Sequence, residues 1–371
     1  MADPDGTVRF AVMGAGLFGA AMIGRIDAAA GCRVVAIASR DRGKAVRVAA
    51  EHGLGEEAGC TYAELAGRAD VDAVYVAVPN HLHVPWAVEL LGAGKHVLSE
   101  KPLSWDRAGA ARAFDAAERA GRVLAEGFMY FHHPQTGEVA RLVRRAMSPG
   151  GDELVGELVG LRARREWKLD DRPEVVATRF SHAMHGGALM DLGVYALSWP
   201  RRVSGRGIEG LELAGATLAE PLPGEAGRVD GACSWRGTLA GTGVWVEGAC
   251  SMLERGSQDV EVVGTAGTVW TGWAWSPDEG DGALWFTPAG GAVRDGSERR
   301  VGAAGLGDVG SGEGAVGRAE AQFSAFARAV RGEGEAVPGR SFSEAHAAAI
   351  GELYGQMGVS FEPVGINGEA L

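Results

Sequence analysis

Six consecutive residues near the start of the chain, Gly14-Ala15-Gly16-Leu17-Phe18-Gly19, follow the apolar run Phe10–Met13 and open the helical stretch Ala20-Ala21-Met22-Ile23. In such a strand, GxGxxG, helix setting, Gly14 permits the tight turn, Gly16 lets backbone approach a pyrophosphate, and Gly19 lets the helix pack close. The helix start, with Leu17 and Phe18 in it, offers free N–H groups and a partial positive charge to phosphates. The chemistry is dinucleotide binding. The next apolar run, Val34–Ala38, ends in Ser39-Arg40. A carboxylate at that place would hold the ribose 2′-hydroxyl of NAD; a hydroxyl followed by a guanidinium suits the 2′-phosphate of NADP, to which Arg makes bidentate charge-assisted bonds. Asp41, one residue on, is placed to cap the following helix. NADP(H) is the expected cofactor, and NAD(H) is the alternative should Asp41 turn to the ribose.

Hydride delivered to a carbonyl carbon leaves an alkoxide, so a proton donor must stand beside it. Lys101, in Glu100-Lys101-Pro102 after the strand His96–Leu98, falls where open α/β sheets bind ligands. Asp191 and Tyr195 are spaced i, i+4 within the helical pattern Gly186–Trp199, which puts them on one helix face. Tyrosine carries its proton at neutral pH. Tyr195 is therefore the expected general acid in the reducing direction, and Asp191 would hold a substrate hydroxyl or orient Lys101. Other chemistries lack their signatures. There is no HExxH and no CxxC, and Cys32, Cys60, Cys233 and Cys250 stand far apart in sequence, so no metal is expected. A GxSxG elbow for serine hydrolysis is also missing.

The elements that must position these residues follow from periodicity. Up to about residue 125, short apolar runs (Arg9–Met13, Arg33–Ala38, Ala73–Val78, His96–Leu98, Val123–Ala125) alternate with helical patterns near 17–30, 41–53, 61–68, 83–93 and 104–120. That is a doubly wound α/β sheet. Beyond it, Leu154–Trp167 and Gly210–Phe286 alternate apolar with polar residues as antiparallel sheet does, with helices expected at Gly186–Trp199, Ala319–Val330 and Ser341–Met357. Ser341 or Ser343 is the expected cap of the last helix, and the Gly-rich stretch Gly302–Gly317 the expected long loop. The chain is read as a Rossmann domain over 1–125 and an α+β domain over 126–371 whose last helix packs back on the first.

Composition agrees. The 371 residues suit two domains, and 46% hydrophobic against 23% charged residues allows a sizeable core. Glycine, 59 residues, is about twice the usual ~7% but lacks a collagen period, a bias of composition and not of fold. A net charge of −12 excludes nucleic acid as the main partner. The longest clean apolar run, Ala73–Val78, is far short of a membrane span, and Met1–Asp5 is acidic where a signal peptide is basic. A cytoplasmic location with four ordinary thiols is expected.

The stretch Gly94-Lys95-His96-Val97-Leu98-Ser99-Glu100-Lys101-Pro102-Leu103, preceded by Val78-Pro79-Asn80-His81-Leu82-His83, resembles the Gfo/Idh/MocA family of glucose-fructose oxidoreductase and inositol dehydrogenase. Glu126–Gln135 looks like that family's domain junction, Gly186–Tyr195 like its second catalytic motif, and Val262–Gly267 like a family turn. The resemblance implies a Rossmann domain followed by a large, open, mostly antiparallel sheet, one face of which meets another subunit. A homodimer or homotetramer is expected, and Trp235, Trp245, Trp270, Trp273, Trp275 and Trp285 would suit that face. It adds Pro79, Asn80, His83 and Glu100 to the cofactor contacts and sets Lys101 beside the nicotinamide. Tyr195, where many relatives have His, is similar to the branch acting on sugars, dihydrodiols and keto-sugars. Phe131, where pentose-acting relatives often carry a basic residue, argues against a simple pentose. His132, His133 and His185 are given no catalytic role. The expected activity is hydride transfer between NADP(H) and a secondary alcohol or ketone of a sugar-like or cyclic polyol, a keto-sugar reductase among the candidates. The alternatives are an NAD-dependent aldose or inositol dehydrogenase and a non-catalytic dinucleotide sensor.

Overall fold

The computed structural model describes residues 6–277, 283–291, 293–294, 296, 298–301 and 317–367. The expected loop is outside them from 302 to 316, as is Met1–Asp5. The chain forms two compact units, one comprising the chain up to Met129 with Ala319–Ala347 and the segment from Glu362, the other Tyr130–Arg318 with Ala348–Phe361. A single cut at 125 therefore does not describe it. The reason is visible in the first unit: Phe323, far along the chain, is fully buried with its ring 5.9 Å from Phe10 and 5.2 Å from Tyr75.

In the first unit β1 (Val8–Met13), β2 (Cys32–Ser39), β3 (Gly59–Thr61), β4 (Ala73–Val76), β5 (His96–Glu100) and β6 (Leu124–Gly127) form one parallel sheet in the order β3-β2-β1-β4-β5-β6. Its strands are near-continuous Val, Ala and Ile because both faces are covered. The covers include α1 (Leu17–Ala28), α2 (Arg42–Glu51), α3 (Tyr62–Ala66), α4 (His83–Gly92) and α5 (Arg107–Ala120). The strand order reverses between β1 and β4, and the carboxyl ends there make the crevice in which such sheets bind ligands. Only β3 was not expected: three residues are too few to show a period, and its place is set by pairing with Ile37–Ser39.

The second unit carries an eight-stranded sheet of β7 (Leu158–Glu166), β8 (Ile208–Leu218), β9 (Asp230–Leu239), β10 (Trp245–Ser251), β11 (Val260–Gly264), β12 (Gly267–Thr271), β13 (Leu284–Pro288) and β14 (Arg299–Val301). Its order is β14-β13-β12-β11-β7-β10-β9-β8, antiparallel except where β7 meets β10. Register sorts its two faces. Leu161, Ala163, Val246 and Gly248 point inward, and α8 (Val194–Ser204) packs on that side. On the other face a ladder runs Glu212, Arg236, Glu247, Arg162, Glu261, Trp270 and Trp285 across the strands. The tryptophans do not all suit a surface: Trp235, Trp270 and Trp275 are buried by the chain itself, whereas Trp273 is 44% exposed and Trp245 and Trp285 are half-buried.

Two helices of this unit, α6 (Pro134–Ala146) and α7 (Pro173–Arg179), were not anticipated, although each has Pro in its first turn, where the missing N–H costs nothing. After α9 (Arg318–Val330), the closing helix α10 spans Arg340–Met357. Neither serine caps it. Ser343 already donates its backbone N–H to Gly339, so both lie inside the helix, and its hydroxyl goes to Glu126 instead. Among the described residues no helix is long and apolar enough to cross a membrane.

Candidate active site

The turn after β1 is built by contact. Gly14 has φ +117° and a Cβ there would stand 2.2 Å from the Ala77 carbonyl oxygen; one on Gly19 would meet the Gly14 oxygen at 1.9 Å. Neither place admits a side chain. Gly16, in contrast, has nothing within 4 Å of its would-be Cβ, so its backbone faces open space at the N-terminus of α1. Leu17 and Phe18 are exposed there, 74% and 50%. This cradle fits a pyrophosphate, with main-chain N–H groups of the first helical turn to hold it.

At the end of β2, Ser39 is buried and its Oγ accepts from the Asp41 N–H at 3.3 Å; Arg40 is exposed. Asp41 caps α2, its Oδ1 accepting from Gly43 N–H at 2.8 Å and Lys44 N–H at 3.3 Å. The carboxylate that would read a ribose 2′-hydroxyl is thereby engaged with the helix, and the guanidinium is the group left facing outward.

Glu100 and Lys101 end β5. Glu100 is buried and accepts the Tyr75 hydroxyl at 2.6 Å and the Lys101 backbone N–H at 3.2 Å. The turn that follows is tied by Glu126 on β6, which accepts from Leu103 N–H at 2.9 Å and from the Ser343 hydroxyl at 2.7 Å. Pro79 and Asn80 begin a short turn of 3-10 helix beyond β4. Both ring nitrogens of His83 are engaged within the protein. The residue is fully buried, with Nδ1 2.7 Å from the Pro102 oxygen and Nε2 2.8 Å from the Val78 oxygen, a strap between two loops. Burial pushes its pKa down to about 4, against the two carbonyls, with the Lys101 charge adding to the fall.

In the second unit Asp191 and Tyr195 lie one turn apart, Asp191 in a π-helical turn, Leu189–Gly193, and Tyr195 in α8. The turn is pinned from below. Asp230 is buried and accepts from Leu189 N–H at 2.7 Å and from the Tyr354 hydroxyl at 2.9 Å. Gly187, at φ +116°, approaches so closely that a Cβ would stand 2.3 Å from the Asp230 carboxylate. Burial raises Asp230 to about 6 despite these bonds. Arg179 faces Asp191 across 3.4 Å.

Tyr195 sits among aromatic rings, 6.0 Å from Tyr130 and 5.9 Å from Trp275, and the Arg165 guanidinium lies 3.7 Å from its ring centre. Tyr130 shares a 2.7 Å hydrogen bond with Ser198, whose hydroxyl donates to the Tyr195 carbonyl at 3.0 Å. Burial holds the Tyr130 phenol well above its ordinary range, so Tyr130 keeps its proton. His133 caps α6, accepting from Gln135 N–H, and His185 stacks on Phe361 at 4.7 Å.

Sequence separation was misleading for the cysteines. Cys233 and Cys250 face each other across β9 and β10 with sulfurs 3.5 Å apart, and an oxygen of Asp230 lies within 4.8 Å of both. The carboxylate is already taken by Leu189 and Tyr354, and both thiols are pushed up, Cys250 by burial and Cys233 by its bond to Cys250 and by burial. Arg165 and Asp230 escaped the sequence reading. A signal existed for Arg165, since Leu161, Ala163 and Arg165 share one face of β7 and two of the three are core residues.

Residues 8–128 match the family model described as an oxidoreductase family with an NAD-binding Rossmann fold, and residues 146–270 match the GFO/IDH/MocA C-terminal domain. The dTDP-3,4-didehydro-2,6-dideoxy-alpha-D-glucose 3-reductase of Actinomadura kijaniata is 39% identical over 186 residues, 50% of this chain and 51% of that protein. The D-xylose 1-dehydrogenase (NADP(+)) 2 of Haloferax volcanii is 39% identical over 166 residues, 45% and 48% of the two chains. The chain spans about half the length of the curated relatives it matches. A 3-ketoreductase from Actinomadura kijaniata, solved with TDP-benzene and NADP, shares the fold at a TM-score of 0.73 and 26% identity over 93% of this chain and 96% of that one. The aldose-aldose oxidoreductase of Caulobacter crescentus, at a TM-score of 0.78 and 21% identity over 95% and 98%, matches in fold alone.

Proposed function

Because the chain belongs to the GFO/IDH/MocA oxidoreductase family, we propose that it is an NADPH-dependent reductase of a keto-sugar or a similar cyclic polyol ketone. The observation that carries the cofactor half is the end of β2, where Asp41 is spent on capping α2 and Arg40 is exposed. A carboxylate turned away removes the repulsion a 2′-phosphate would meet, and an arginine supplies its charge-assisted bonds. The A. kijaniata ketoreductase structure with NADP and the NADP(+)-dependent xylose dehydrogenase support the same choice. The 3-reductase relatives support a keto-sugar as substrate.

In this reading the bound nicotinamide supplies the hydride. Gly14, Gly16, Leu17, Phe18 and Gly19 hold the pyrophosphate, Ser39 and Arg40 the 2′-phosphate, and Pro79, Asn80 and Glu100 shape the turns around the nicotinamide ribose. His83 acts beneath them as a strap. Tyr195 gives its proton to the oxygen of the reduced carbonyl, Asp191 holds a substrate hydroxyl, and Lys101 favours the developing negative charge. A homodimer or homotetramer belongs to the same proposal, supported by the charged and aromatic ladder on the outer face of the second sheet. So does a cytoplasmic setting, where NADPH and reduced thiols coexist.

A paired fluorescence titration with NADPH and NADH tests the cofactor reading. NADPH should bind at least about tenfold tighter, ~1.4 kcal/mol, and Arg40→Ala should remove the difference. NADH binding as well as NADPH would overturn it in favour of an NAD-dependent aldose or inositol dehydrogenase. Lys101→Ala should lower keto-sugar turnover by about 10²-fold or more while NADPH affinity changes little; full retention of turnover would exclude the proposed role.

A further inference from the structure

Three arginines stand close together on β7, and two have partners. Arg162 pairs with Glu247 and Glu261 at 2.8 and 2.7 Å, and Arg164 with Asp259 and Glu261 at 3.0 and 2.5 Å, all on the outer face. Arg165 points the other way, onto the face of Leu161 and Ala163, opposite Cys250 of β10. Its Nε and Nη1 are buried and have no hydrogen-bond partner among the described residues, and no carboxylate pairs with it there. What it touches is the ring of Tyr195, 3.7 Å from guanidinium carbon to ring centre.

Arg165 is half-buried, and two N–H-bearing nitrogens buried without a partner are costly; stacking on a neutral phenol recovers only part of that cost. The balance changes once the phenol gives up its proton. The negative charge of a tyrosinate spreads into the ring, and a cation held against the ring face, beside Trp275 and Tyr130, attracts it. The surrounding groups leave that task to Arg165. The Tyr130 hydroxyl is bonded to Ser198 and held protonated, Arg202 lies over Phe131 at 5.2 Å, and Arg179 faces Asp191.

We propose that Arg165 is a positioning residue for proton transfer, holding the Tyr195 ring and stabilising the charge that Tyr195 acquires when it protonates the substrate oxygen. The proposal rests on the keto-sugar reductase reading. In that step the carbonyl carbon gains a hydride from the reduced dinucleotide, the Tyr195 O–H bond breaks as a new O–H forms on the substrate, and water later reprotonates the tyrosinate. The cation is in place before the reaction, so no reorganisation is needed when the charge appears.

The test separates charge from shape. Arg165→Gln keeps a planar group and removes the charge; kcat for keto-sugar reduction should fall at least about tenfold, with KM and NADPH affinity within about threefold and a larger solvent deuterium isotope effect on kcat. Arg165→Lys keeps the charge and should stay within about threefold of the wild-type rate. In a Tyr195→Phe background, Arg165→Gln should cost nothing further, because the residue it acts through is gone. The proposal falls if Arg165→Gln turns over like wild type, if a folded Arg165→Lys loses as much as Arg165→Gln, or if Arg165→Gln slows Tyr195→Phe by the same factor as wild type. Should circular dichroism find Arg165→Gln unfolded, the Lys variant decides alone, a loss beyond about tenfold overturning the idea. A wild-type protein that neither binds NADPH nor reduces any ketone overturns the reductase reading itself; binding and turnover with an indifferent Arg165→Gln overturn only this one.

Discussion

At the end of β1 the groups offered to a ligand are main-chain N–H donors of consecutive residues, Gly16 to Gly19, held by two contacts too close for any side chain. Around Tyr195 they are side chains from a junction turn, a strand, a π-turn and a loop: Tyr130, Arg165, Asp191 and Trp275. The first arrangement is stiff because the backbone itself is the ligand-facing surface. The second depends on each supporting bond separately, from Asp230 to Leu189 and from Ser198 to the Tyr195 carbonyl. Damage should therefore be all-or-none in the first region and graded in the second.

Gly14→Ala is the sharpest way to break the contrast. A Cβ at φ +117° and 2.2 Å from the Ala77 oxygen forces β1 and β4 apart at the crevice. We expect loss of measurable NADPH binding and at least ~4 kcal/mol of stability by urea unfolding, the range of the severest single changes. A folded Gly14→Ala protein that binds NADPH would remove the rigidity claimed for the cradle. Tyr195→Phe should behave oppositely: kcat should fall about 10²–10⁴-fold through loss of the proposed proton donor, while NADPH affinity is unchanged and stability shifts by less than ~1 kcal/mol.

The same contrast explains what could be read without coordinates. The cradle was legible because its signal is local: glycine spacing, a preceding apolar run and a following helix lie within one short stretch. The parallel sheet was legible for the same reason, apart from β3, whose three residues carry no pattern of their own. Asp191 and Tyr195 were legible as an i, i+4 pair. Their supports were not, because Asp230 reaches Leu189, Ser343 reaches Glu126, and Cys233 reaches Cys250 only through topology. Asp41 was read correctly as a cap, since N-capping is also local. His83 was assigned to the cofactor from its motif alone, and only the two carbonyls around it reveal a strap.

Asp230→Ala tests the graded side. It leaves the Leu189 N–H and the Tyr354 hydroxyl without an acceptor in the core, which should cost about 3 kcal/mol. Asp230→Asn, which retains one carbonyl acceptor, should cost roughly half as much by the same unfolding measurement. Equal losses would mean that charge, and not hydrogen bonding, holds the π-turn.

The smallest effect sharpens the stiff side, because it concerns how the Pro102 and Val78 carbonyls are joined. A neutral imidazole has one N–H, so only one of the two carbonyls facing His83 receives a hydrogen bond; an imidazolium would satisfy both. Burial is the larger influence and lowers the pKa from 6.5 to about 4. The unfolded chain then binds the extra proton between those values, so stability is fully present above pH 6.5 and is lost as pH falls toward 4. Between pH 7 and 5 the loss from this residue should be about 2 kcal/mol. His96 and His133, lowered by burial as well, act in the same direction, and Asp230, raised to about 6, acts against them. Comparing wild type with His83→Asn at each pH cancels those contributions and leaves His83 alone. Wild type should lose about 2 kcal/mol more than His83→Asn on going from pH 7 to 5. The opposite sign, with wild type gaining on the variant as pH falls, would mean that the two carbonyls outweigh burial and hold His83 as the cation.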